Sequence, residues 1–178
     1  MSGIRSRTRS GHAAMNERSR HIPDIETRSR EEIRAYQDEK LKEVLAYVNA
    51  RSAYYSRVFR EQHIDISGIR GIDDLPMLPV TTKEDLQRYN EDFICVGREK
   101  IIDLITTSGT LGDPVTFAMT NSDLDRLAYN EYLSLSCAGT TERDIFQLMT
   151  TIDRRFMAGL AYFLGARRLG AGIVRVGN

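Results

Sequence analysis

The sequence is poor in the residues that build covalent or metal scaffolds: two cysteines, Cys95 and Cys137, and three histidines, His12, His21 and His63, in 178 residues. Two isolated thiols make no disulfide framework, and histidines with no second one at helical ligand spacing offer no zinc site. The expectation is buried thiols acting as small hydrophobes, surface histidines and no metal centre. Net charge is absent as well, with Lys plus Arg and Asp plus Glu at 25 each. No overall field argues for nucleic acid or a membrane as partner. An apolar run of about 18 residues is also lacking, as is a secretory hydrophobic segment, so a cytoplasmic protein is expected.

What is present is enough apolar residue, 41%, for one soluble domain with its own core. The charge balance conceals a local excess. Residues 1–22 carry Arg5, Arg7, Arg9, Arg18 and Arg20 against the single acid Glu17, with almost nothing apolar between them. Such a stretch cannot offset its ordering entropy by burial and is expected to be a disordered basic tail. Organelle transit peptides are also rich in Arg and Ser, but they are amphipathic, and this stretch lacks the apolar face. A start at Met15 is a further reading of it.

Residues 23–98 read as a helical segment. Ser29 with Glu32 three residues on forms a capping-box pattern, and Leu41, Val44, Leu45 and Val48 recur on one helix face. Tyr55, Val58 and Phe59 continue that pattern in a second helix, where Tyr54 and Tyr55 are expected to pack in the core. A turn-rich connector holds Gly68, Gly71, Pro76 and Pro79. Thr81 or Thr82 then caps a third helix, with Leu86, Tyr89 and Phe93 inward.

Residues 99–178 change rhythm. The apolar run 101–105 and the extended run 115–119 flank a hydroxyl- and glycine-rich stretch, Thr106-Thr107-Ser108-Gly109-Thr110-Leu111-Gly112-Asp113-Pro114. Such a loop can turn successive N–H groups toward one point while its hydroxyls add donors, which is phosphate-binding chemistry. A polar β-turn is the plainer reading of the same residues. The P-loop of nucleotide hydrolases is excluded, because Gly112 is followed by Asp113-Pro114 and no Gly-Lys opens a helix. Beyond the loop, Asn121 or Ser122 caps a helix whose face is Leu124, Leu127, Ala128, Tyr132 and Leu135. Residues 144–151 read as a buried strand, Phe156, Leu160, Phe163 and Leu164 as a helix ending near Gly170, and residues 171–176 as a further strand. Strands joined by helical crossovers make the fold class α/β, with a helix-covered, largely parallel sheet.

Three stretches carry a resemblance. Ser-Gly-Thr with the glycine and proline after it, Leu78-Pro79-Val80-Thr81-Thr82-Lys83-Glu84-Asp85-Leu86, and Ser52-Ala53-Tyr54-Tyr55-Ser56-Arg57-Val58-Phe59 are similar, in the same order, to stretches of the phenylacetate-CoA ligase branch of the adenylate-forming, AMP-binding acyl-CoA synthetase superfamily. The resemblance spans residues 23–178 and implies an incomplete N-terminal domain of an adenylate-forming enzyme. It implies activation of a carboxylic acid by ATP with Mg, giving an acyl-adenylate and pyrophosphate, then transfer of the acyl group to coenzyme A. Carried over by position, Thr107, Ser108, Gly109, Thr110 and Gly112 hold the pyrophosphate part of ATP. Leu111 stands where the family usually has threonine, and Asp113 where it usually has lysine. An anion in place of a cation beside phosphate is unfavourable. Phe156, Met157, Ala158 and Gly159 fall where the family places a stretch near its acyl pocket, and helix core is an equal reading of them. The elements for adenine, ribose, Mg and the mobile C-terminal domain would lie beyond Asn178.

The expected function is therefore the N-terminal portion of an ATP-dependent acid:CoA ligase, inactive as the isolated chain. Two alternatives stay open: a noncatalytic homologue serving as a partner subunit, and an α/β module that binds a phosphorylated ligand. The strand at 171–176 would leave an open edge, which a C-terminal half or a homo-oligomer partner would cover.

Overall fold

The computed structural model describes residues 24–107 and 114–177. The basic segment 1–22, with His12 and His21, and loop residues 108–113 lie outside them. Helix α1 (Arg30–Arg51) starts as its residues dictate: Ser29 accepts from the Glu32 N–H at 3.2 Å, and Glu32 returns a bond to the Ser29 N–H at 3.0 Å. Of its expected inner face, Leu45 is buried, Leu41 and Val48 pack against the core, and Val44 is exposed. Helix α2 (Ala53–Glu61) follows at once across Ser52. Leu45, Phe59 and Ile69 form the centre of this part, ringed by Tyr55, Ile64, Ile66 and Leu78. Tyr54 is buried with its ring stacked 4.1 Å from Phe93, so the two tyrosines pack in the core as expected. A short α3 (Lys83–Arg88) is capped by Thr82 and gives way to a 3₁₀ turn over Asn90–Phe93.

That turn fastens the helices to the rest. Asp92 takes a bond from Ser52 through its carbonyl, at 2.8 Å, and an ion pair from Arg57 through its carboxylate, at 2.9 Å. Its neighbour Asn90 donates from Nδ2 to the Thr116 carbonyl at 2.8 Å. Thr116 opens β2 (Thr116–Met119), which pairs antiparallel with β1 (Asp103–Thr106) in the register Ile105↔Phe117. The expected strand, loop and strand therefore form a hairpin.

Helix α4 (Asn121–Cys137) is capped by Thr120, one residue before the first of the two expected candidates. Asp123 at its third position completes the capping box, a pattern that Ser122 with Asp125 also offers and Asn121 with Leu124 does not. Helix α5 (Met157–Leu169) packs along α4 through small residues. Ala128, Ala161 and Ala166 are buried, and a Cβ at Gly165 would collide with Glu131. Gly170 ends α5 at φ 87°, where a side chain would be strained. Strand β3 (Ile145–Leu148) pairs parallel with β4 (Gly172–Arg175), the two joined through α5.

The fold is helix-rich α/β, as expected, with two refinements. Its strands form two small sheets, and one of them is the antiparallel hairpin. The strand expected over 144–151 forms only over Ile145–Leu148, and it is covered on one face only. Phe146, Leu148 and Ile173 turn inward, whereas Ile145, Met149, Val174 and Val176 on the other face are 75%, 64%, 51% and 49% exposed. The thiols also depart from expectation: Cys95 is half-buried, with burial pushing its pKa up, and Cys137 is exposed because it closes α4 at the surface. His63 is exposed, in a left-handed turn after α2. No helix among the described residues is long and apolar enough to cross a membrane, and no group of three or more metal-ligating residues is found among them.

Candidate functional site

The hairpin delivers both ends of the hydroxyl-rich loop to one place. The Thr107 N–H donates to the Val115 carbonyl and the Val115 N–H donates to Thr107 Oγ1, each at 3.0 Å. Thr107 Oγ1 thus accepts within the hairpin, and a hydroxyl that accepts one bond still carries a proton to donate. Of the expected phosphate-holding residues, Thr107 is the one described; Ser108, Gly109, Thr110 and Gly112, with Leu111 and Asp113, lie outside the described residues.

The other expected stretch reaches the same hairpin. The Thr106 N–H donates to the Arg155 carbonyl at 2.9 Å, and Thr106 bridges Phe156 in parallel sense. This contact is made from a turn in which Arg154 and Arg155 take φ of 56° and 61°, the left-handed region that side chains disfavour. Phe156 then precedes α5, and Met157 is its first residue. Gly159 is buried, and a Cβ on it would fall on the Thr151 carbonyl oxygen, so its place in this stretch follows from close packing. Ala158 is half-buried in the same turn of helix.

Met157 and Thr107 meet at a cavity of 460 Å³ between the hairpin, α4 and the start of α5. Its walls are Ile105, Phe117, Met119 and Leu127 with Met157, while Thr106, Thr107, Asp123, Arg126 and Asn130 add polar groups. That volume and mixture suit a small organic ligand. The α4 residues were missed by sequence reasoning. Arg126 and Asn130 are one turn apart, but nothing local says which helix face meets the hairpin.

The fold is one found in adenylate-forming CoA ligases. Structures of 2-hydroxyisobutyryl-CoA ligase superpose with TM-scores of 0.78 and 0.79 at 23% and 24% identity, covering 88% of this chain and 37% and 34% of theirs. Both contain 2-HIB-AMP and CoA. Sequence narrows the class. The chain is 37% identical over 156 residues to phenylacetate-coenzyme A ligase of Thermus thermophilus and 32% identical over 154 residues to that of Escherichia coli, each match covering 86% of the chain. The chain resembles the N-terminal part of the phenylacetate-CoA ligase branch, and it spans 35% of the length of these relatives. No protein-family model matches it.

Proposed function

We propose that the chain is the N-terminal portion of an ATP-dependent carboxylic acid:CoA ligase and that it contributes the pyrophosphate loop and one wall of the acid pocket. The observation that carries this reading is the convergence of two separately expected stretches, the loop entered at Thr107 and the helix start at Met157, on one cavity. ATP, when bound, supplies the phosphoanhydride whose cleavage drives acyl-adenylate formation. Thr107, Ser108, Gly109, Thr110 and Gly112 hold the departing polyphosphate through N–H and hydroxyl donors. Phe156 and Met157 flank the acid. The resemblance implies that the elements for adenine, ribose and Mg lie outside the matched third, and without them nucleotide and acid are expected not to be held in attack geometry.

The reading is tested by acid-dependent pyrophosphate release. None is expected from the pure 178-residue chain. Release is expected when the chain is joined to the polypeptide that follows the matched third of the Thermus ligase. Thr110→Val in that protein removes one donor to a charged group, worth about 1.5–3 kcal/mol, and lowers the rate roughly ten- to hundredfold. A silent Thr110→Val would return the loop to a polar turn.

Leu111 and Asp113 favour a second reading, a noncatalytic homologue that acts as a partner subunit. Asp113→Lys separates the two. If Asp113 faces phosphate, the substitution tightens ATP binding, and an unchanged affinity removes the reason for this second reading.

A further inference from the structure

We infer that the cavity takes a carboxylic acid bearing a second anionic group, and that Arg126 is the residue that reads that group, with Asn130 beside it. The inference rests on the ligase reading for the acid itself and on the α4 wall for its second group. Asp123, Arg126 and Asn130 follow one another down one face of α4, and all three line the cavity. The carboxylate and the guanidinium on this wall do not satisfy each other. Asp123 Oδ2 accepts from the Thr120 N–H at 2.9 Å and from the Thr120 hydroxyl at 2.8 Å, which commits it to the helix cap.

Arg126 is exposed, and among the described residues its guanidinium makes no ion pair, side-chain hydrogen bond or ring contact. Other exposed arginines, among them Arg60, Arg98 and Arg143, are likewise without such a partner among the described residues; Arg126 differs from them in lining this cavity. The cavity therefore offers an apolar middle, where Phe117 and Met157 are exposed, and a planar fork of donors matched to a carboxylate. An acid with a wholly apolar body would leave that fork unmatched. Asn130, one turn on, adds an amide donor toward the same group.

The test compares two acids with one body, phenylacetate and 4-carboxyphenylacetate, binding to the 178-residue chain by titration calorimetry without nucleotide. The diacid is expected to bind about tenfold tighter or more, as a hydrogen-bonded charge pair allows. Arg126→Gln should bring its affinity down to that of phenylacetate, and Arg126→Lys should restore part of the preference. Circular dichroism checks that the variants fold, which an exposed helix position permits. Equal affinities, a preference that survives Arg126→Gln, or no binding of either acid overturns the inference. So does an equal loss of phenylacetate affinity in Arg126→Gln, which would place Arg126 on the reacting carboxylate. The ligase reading fails separately: a joined protein that binds the diacid through Arg126 yet releases no pyrophosphate would sink that reading and leave this one standing.

Discussion

Gly159 sits so close to the Thr151 carbonyl that a methyl group has no room, and the neighbour it meets is backbone. Gly159→Ala is therefore expected to lower stability by about 1–3 kcal/mol, the usual cost of overpacking, measured as a fall in the urea midpoint. Thr107 presents the opposite case, in which a side chain is required. Its Oγ1 accepts from the N–H of Val115, a buried residue at the mouth of the hairpin. Thr107→Val leaves that N–H without its acceptor and should cost about 1–3 kcal/mol, whereas Thr107→Ser keeps the oxygen and should be close to wild type. Equal urea midpoints for the two variants would show that the bond contributes nothing.

Among the elements, the join between α1 and α2 depends on one hydroxyl. Ser52 is 1% exposed; its Oγ accepts from the Tyr55 N–H at 3.2 Å and donates to the Asp92 carbonyl at 2.8 Å. Ser52→Ala removes a helix cap and a tie to the 3₁₀ turn together, and a loss of about 2 kcal/mol is expected in denaturant unfolding, the upper end for a cap. The cap of α3 adds a pH dependence. Bonds from the Thr82 N–H and hydroxyl hold the Asp85 carboxyl below its usual range. A carboxyl depressed in the folded state stabilises above its unfolded pKa, near 3.9, and that contribution is lost as pH falls through the lower folded value. Stability should thus decline below about pH 4, and Asp85→Asn should flatten that part of the profile. An identical acid limb in both proteins would exclude Asp85 as a contributor.

The molecule as a whole leaves one parallel sheet half covered. Alternation in register puts Ile145, Met149, Val174 and Val176 on the face away from α5, and all four are exposed. Parallel strands are ordinarily covered on both faces, so this apolar surface with open edges is an association liability. Sedimentation of the 178-residue chain should show mass rising with concentration. Ile145→Lys with Val174→Lys should hold it at the monomer mass without change in circular dichroism. Association that persists in this variant would place the contact elsewhere.

The local sequence determined what local physics governs. Ser29 with Glu32 set the start of α1, Gly170 set the end of α5, and the two apolar runs around Thr106-Thr107 set a strand, loop and strand, because caps, left-handed turns and strand alternation involve residues a few positions apart. The order of three motifs also carried the resemblance to phenylacetate-CoA ligases that the comparisons bear out. Tertiary structure decided what depends on distant partners. Thr120 with Asp123 and Ser122 with Asp125 offer the same capping box, and the earlier one is used where the chain leaves β2 at Met119, whose place is set by pairing with β1. Which face of α4 meets the hairpin, and hence the place of Arg126 and Asn130 on the cavity, follows from the packing of α4 against α5 through Ala128, Ala161 and Gly165. That packing brings residues 107, 126 and 157 to one cavity, and no periodicity within any one of their segments encodes the meeting.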